Sequence, residues 1–190
     1  MTTVIETPRL ILRQWRAEDA PLFARINGDP LIMQYMPRVL PPKDSDKLVK
    51  RFDDHFSKHG YGMYAVESRE SGVFMGTVGL QHVDFKVPFA PAVEVAWRLD
   101  YEFWGQGYAT EAARAVADFA FNDLKLKEIV AFTVHDNTRS IHVMEKLGMA
   151  HDEKGDFDYP SLPKGHPLGR HVLYRLKAKD YSSAAVSQDA

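Results

Sequence analysis

The 190-residue chain contains no cysteine at all. Disulfides, thiolate zinc sites and a cysteine nucleophile are therefore excluded, and the absence fits a reducing compartment. No uninterrupted apolar stretch approaches the roughly 20 residues needed to cross a bilayer. The segment from Met1 to Arg13 carries polar and charged residues where a secretory signal needs an apolar run. An excess of one charge is missing too: 24 Lys and Arg face 26 Asp and Glu, a formal net charge of −2. Such a balance gives no general attraction to nucleic acid or to anionic membranes, so partners must be sought in local sites. The expectation is a soluble, cytoplasmic protein with neither a membrane nor a nucleic-acid partner.

What is present is ordinary globular material, with 45% hydrophobic and 26% charged residues. A chain of this size buries roughly 70% of the surface its unfolded form exposes. Arg9 to Arg13 reads as a short strand. Ala17 to Asn27 reads as a helix, with Glu18 and Asp19 at its positive end, Leu22, Phe23 and Ile26 as its stripe, and Gly28 as its stop. Asp29 to Pro42 is an apolar, proline-broken loop. Asp44 to His59 is a second helix, with Leu48, Phe52 and Phe56 spaced by four and Gly60 ending it.

Tyr61 to Ser68 and Val73 to Asp84 read as a hairpin about Gly72. Val93 to Asp100 is a strand with Val93, Val95, Trp97 and Leu99 on one face and Glu94, Ala96 and Arg98 on the other. Gly107 to Asn122 is the clearest helix, and its stripe of Ala109, Ala112, Ala113, Val116 and Ala120 suits close approach to a sheet. Ile129 to Val134 is a short strand, and Thr138 to Leu147 a helix capped by Asn137 and stopped by Gly148. Asp156 to Arg170 reads as a loop, His171 to Leu176 as a closing strand, and Tyr181 onward as a polar, frayed tail. The class is α/β, or α+β, with hairpin strands preceding a β–α–β–α unit.

The junction from Trp97 through Ala112 carries the chemistry. A strand runs through a glycine-containing loop directly into a helix, whose first turn offers unpaired N–H groups and a positive dipole end to a phosphate. Gly105 and Gly107 remove side chains that would hold phosphate oxygens off the backbone. No Gly-Lys-Ser/Thr follows, so this is not a P-loop. Thr110 stands where the dinucleotide fingerprint has its third glycine.

Trp104-Gly-Gln-Gly-Tyr-Ala-Thr-Glu-Ala112 resembles the acetyl-CoA loop of the GNAT superfamily, Arg/Gln-x-x-Gly-x-Gly/Ala. Gly107 and Ala109 match it and Trp104 replaces the Arg/Gln. Asn137-Thr-Arg-Ser140, followed by Glu145-Lys146 and Gly148-Met149, is similar to a signature of the branch containing ribosomal-protein N-terminal acetyltransferases; Met149 stands for its Phe. Glu6-Thr7-Pro8-Arg9-Leu10 with Leu12-Arg13 resembles the family's first strand. The resemblance implies a GNAT-like mixed, mostly antiparallel sheet of about six to seven strands flanked by about four helices. It implies one domain over residues 1–180 with a tail over 181–190.

The resemblance further implies acetyl-CoA as co-substrate and a primary amine, either a protein N-terminus or a small molecule, as acceptor. The implied cofactor-binding residues are Trp97, Arg98, Leu99, Trp104, Gly105, Gln106, Gly107, Tyr108, Ala109, Thr110, Asn137 and Ser140. A free backbone N–H of the Glu94–Leu99 strand would hold the oxyanion. Candidate catalytic groups are Glu94 as general base, Ser140 as proton donor to the thiolate, and His82 as a rival base paired with Asp84.

Each has a plainer alternative: Glu94 as a salt-bridge partner, Asn137 and Ser140 as a helix cap, His82 and Asp84 as a hydrogen-bonded couple. Trp15, Tyr35 and Met36 either line the acceptor pocket or pack the core. His55 and His59 lie one helical turn apart, but no further ligand accompanies them along the chain, so no metal is expected. A non-catalytic acyl-CoA-binding module is the competing functional class, and the assembly is expected to be a monomer or homodimer.

Overall fold

The computed structural model describes residues 4–182. Its strands are β1 (Ile5–Glu6), β2 (Leu10–Arg13), β3 (Met63–Ser68), β4 (Phe74–His82), β5 (Val93–Leu99), β6 (Glu128–Val134), β7 (Ala150–His151), β8 (Phe157–Asp158) and β9 (Arg170–Lys177). The helices are α1 (Asp19–Gly28), α2 (Pro42–His59), α3 (Tyr108–Asn122) and α4 (Thr138–Lys146). The nine strands form one sheet in the order β1-β2-β3-β4-β5-β6-β9-β7, with β8 also on β9. Only β5 and β6 run parallel. The strand number exceeds the six to seven expected because β1, β7 and β8 are two-residue pairings with no periodicity to betray them.

Helices α3 and α4 cover one face. Of the α3 stripe, Ala112, Ala113, Val116 and Ala120 lie fully buried beside Leu10, Val66, Met75, Val78, Leu80 and Val95, and Ala109 is partly buried. Helices α1 and α2 cover the other face, where Phe23, Ile26, Val49 and Phe52 pack against Met63, Ala65 and Phe74. Leu22 is 40% exposed, so the stripe of α1 is Phe23 and Ile26 without it. Helix α2 starts two residues earlier than the pattern implied, because Pro42 at its first position needs no N–H partner. It ends on left-handed Gly60.

Trp15 belongs to the second core. Its ring lies 4.9 Å from Phe23 and 5.7 Å from Phe52, and its Nε1 donates to the Met63 carbonyl at 2.8 Å. It therefore packs the core. The tail reading also needs correction at its start, because Tyr181 packs 5.0 Å from Phe121. Residues 183–190 of that tail lie outside the described residues.

The Arg13 guanidinium, almost completely buried, makes two bonds to Asp19 at 2.6 and 2.9 Å and a third to Glu67 at 2.7 Å. These ties fix the start of α1 against β2 and β3.

Candidate functional site

Strand β5 pairs with β4 over its whole length, from Val93 opposite His82 to Leu99 opposite Gly76. With β6 it shares only the Glu94–Val130 pair. Beyond that point the sheet is open, and a cavity of about 1030 Å³ passes through the gap. Its lining draws on both faces of β5: Trp97 with Tyr108, Asn137 and Ser140 on one, Glu94 with Tyr159 on the other.

The backbone of β5 is exposed at this opening. The Asp100 N–H donates to Met75 of the β4 side at 2.9 Å. Strand alternation then turns the N–H of Trp97 and Leu99 toward the gap. The Leu99 carbonyl, on the same side, accepts instead from Trp104 Nε1 at 2.9 Å.

The phosphate-type end lies at the start of α3. No side chain caps this helix, so its first-turn N–H groups stay free for a ligand. Gly105 and Gly107 have φ of 74° and 81°, in the left-handed region. A Cβ at Gly105 would meet nothing within 4 Å, which leaves an open concavity beside the helix end. Arg139 stacks over the Trp104 ring at 4.6 Å and adds positive charge to the same wall.

The opening segment of the chain pins this loop. Glu111 accepts from Thr7 Oγ1 and Arg9 Nε at 2.6 Å each, and Arg9 donates to the Gln106 carbonyl at 3.0 Å. The Gln106 side chain turns away to the Glu102 carbonyl and is not part of the cavity wall, unlike its loop neighbours. Arg98 sends its guanidinium to Asn27 of α1, and its backbone pairs with Thr77 of β4.

At α4 the cap is real. Asn137 Oδ1 accepts from the Ser140 N–H at 3.3 Å, and its Nδ2 donates to Thr133. The Ser140 hydroxyl faces the cavity and accepts from Trp97 Nε1 at 3.1 Å, so the structure brings these two together across the opening.

Glu94 lies across the gap. It is 9% exposed, and its one hydrogen-bond partner is Gln81, directly opposite on β4, at 2.8 Å. Burial pushes its carboxyl up to about 7, against a smaller lowering by the Gln81 bond. The salt-bridge alternative is not realised, since no cation among the described residues pairs with it. Tyr159, from the 156–170 loop, faces it closely enough for its charge to raise the phenol beyond the effect of burial. Within the 156–170 loop, Tyr159, Leu162 and Leu168 line the cavity while Pro160, His166 and Pro167 do not.

His82 does not pair with Asp84. The strand ends at His82, whose Nε2 lies 2.9 Å from the Tyr61 hydroxyl and whose ring sits beside His55 and His59. Tyr35 and Met36 do line the cavity, and the Tyr35 hydroxyl donates to the Asp136 carbonyl at 3.1 Å, bridging the first loop to the start of α4.

The chain matches the family described as the acetyltransferase (GNAT) domain over residues 9–150. It belongs to that family. This GNAT chain is 26% identical to an uncharacterised N-acetyltransferase, YnaD, of Bacillus subtilis, over 94% of its own length and 99% of the relative's. Its fold is shared with a ribosomal-protein-S5-alanine acetyltransferase from Vibrio fischeri, at TM-score 0.72 and 20% identity over 95% of this chain and 99% of the other. It is shared equally with a spermidine N-acetyltransferase from Vibrio cholerae solved with CoA and spermine, at TM-score 0.72 and 19% identity over 92% and 99%. The protein is an acetyl-CoA-dependent N-acetyltransferase.

Proposed function

We propose that this acetyltransferase receives acetyl-CoA on the α3–α4 face, a primary amine on the opposite face, and joins them through the gap between β5 and β6. The observation that carries the reading is the single cavity connecting the uncapped α3 end with the buried Glu94 carboxyl. The residues fit the co-substrate. Free helix amides and the Gly105–Gly107 concavity suit a pyrophosphate, Arg139 adds charge, and the unpaired edge of β5 suits an extended amide-bearing arm.

The co-substrate supplies an activated thioester carbonyl. The Trp97 N–H, turned into the gap, stabilises negative charge developing on that carbonyl oxygen. Glu94, with a pKa near 7, takes the proton from the attacking amine directly or through water. As the N–C bond forms and the C–S bond breaks, the Ser140 hydroxyl gives its proton to the departing sulfur and recovers one by way of Glu94 or water. The products are an N-acetyl amine and free CoA thiol. The aromatic wall of Phe85, Tyr159 and His171 beside Glu94 suits an acceptor with apolar atoms next to its amine.

The pH dependence of kcat/KM tests the assignment. The wild type loses activity below about pH 7, and Glu94→Gln lowers turnover by about 10²–10⁴-fold and abolishes that acidic limb. Loss of the limb in His82→Ala with its retention in Glu94→Gln would move the role to His82.

A further inference from the structure

Three imidazoles gather at the rim of the cavity, apart from the chemistry assigned to Glu94 and Ser140. His55 and His59 are one turn apart near the end of α2, and the fold brings the end of β4, His82, onto them. The ring centroids lie 4.5 Å apart for His55–His59, 5.3 Å for His55–His82 and 4.2 Å for His59–His82. One ring nitrogen from each lies within 4.8 Å of those of the other two. The third ligand was invisible along the chain because it comes from a strand 23 residues further on.

We propose that His55, His59 and His82 form a binding site for one first-row transition cation of the zinc type. The donor set selects the cation class. Three imidazoles without a carboxylate among them suit zinc, copper or nickel and offer nothing to magnesium or calcium. Orientation is already supplied for His55. Its Nδ1 lies 2.8 Å from the Tyr61 carbonyl, which can only accept, so Nδ1 carries the proton and Nε2 the lone pair. This is the outer bond that commonly fixes a metal-binding histidine. The Tyr61 hydroxyl lies 2.9 Å from His82 Nε2, so one tyrosine orients two of the three rings.

The competing contact is weak: His55 Nε2 accepts only a 3.3 Å bond from the His82 N–H. Tetrahedral zinc at about 2.0–2.1 Å from each nitrogen needs the three drawn slightly closer. His59, the last residue of α2 before Gly60, is half-exposed and can supply that movement. Three protein ligands leave the fourth position to water. A cation there would tie the end of α2 to the end of β4, two edges of the acceptor side.

The test is a titration of chelator-treated full-length protein with zinc chloride against a chromophoric chelator, with thermal unfolding in parallel. The wild type binds one zinc per chain and melts roughly 5–10 °C higher at about 100 times the dissociation constant, while magnesium gives no shift. His59→Ala weakens zinc binding by at least about 10–100-fold and loses the shift. His59 makes no side-chain hydrogen bond among the described residues, so its removal spares the fold. Absence of stoichiometric binding in the wild type overturns the proposal. Equal binding by His59→Ala overturns it as well, by placing the cation elsewhere. Neither result bears on the acetyltransferase reading.

Discussion

Replacing Glu94 by Gln tests the environment of the proposed base without any appeal to turnover. The substitution keeps the side-chain shape and an oxygen that can accept from Gln81. Burial raises the native carboxyl from an ordinary 4.5 to about 7. Between those values the folded state holds a proton that the unfolded state has released. Stability therefore falls as pH rises through this window, and the loss is complete above the folded value. Relative to the neutral glutamine, Glu94 costs about 1 kcal/mol at about pH 5, where only the unfolded chain has ionised, and about 3 kcal/mol at about pH 8, using 1.36 kcal/mol per pKa unit. For a chain of this length each kcal/mol moves Tm by roughly 2–4 °C. The Tm advantage of Glu94→Gln over wild type should thus widen by roughly 4–8 °C between those two pH values. All other titrating groups are shared, so the difference curve from calorimetry isolates this one. A gap that stays constant across the range would refute the buried, near-neutral carboxyl and with it the pH argument for a base.

Ser140→Ala should lower turnover while leaving the acidic limb of the pH profile where it is; a moved limb would contradict the separate roles of Ser140 and Glu94. Gly107→Val should weaken CoA binding measured by calorimetry, and should cost about 1–3 kcal/mol of stability because φ is 81° there. An unchanged CoA affinity would place the phosphate cradle elsewhere. Asp19→Ala should destabilise the fold by about 3–5 kcal/mol in denaturant unfolding, because it leaves the buried Arg13 with one carboxylate, Glu67, and the Gln14 carbonyl. A loss below about 1 kcal/mol would show Glu67 to be a sufficient partner.

Local signals carried the helices and the glycine loop. The alanine stripe of α3, the Asn137 cap and the left-handed glycines at 60, 72, 107 and 148 are decided within a few residues, and sequence shows them directly. What sequence could not show is pairing over distance. Strands β7 and β8 exist only because β9 offers its edge. Pocket and core stayed open for Trp15 because an aromatic beside a loop carries no label for the face it will choose. The Thr7–Arg9–Glu111 clamp and the Trp97–Ser140 bond each join residues more than 40 positions apart. The same blindness hid His82 from His55 and His59, and Tyr159 from Glu94. The depth of Glu94, which sets its pKa, follows from the sheet opening and the loop above it rather than from its strand.

The central claim is amine acetylation drawn from acetyl-CoA, and the most direct measurement is thiol release from acetyl-CoA with a panel of primary amines, including polyamines and N-terminal alanine and serine peptides. The account predicts release that depends on both the amine and the protein, matched by an N-acetyl product in the mass spectrum and lost in Glu94→Gln. Acetyl-CoA binding without thiol release on any amine would contradict it, and would leave a module that holds the co-substrate without using it.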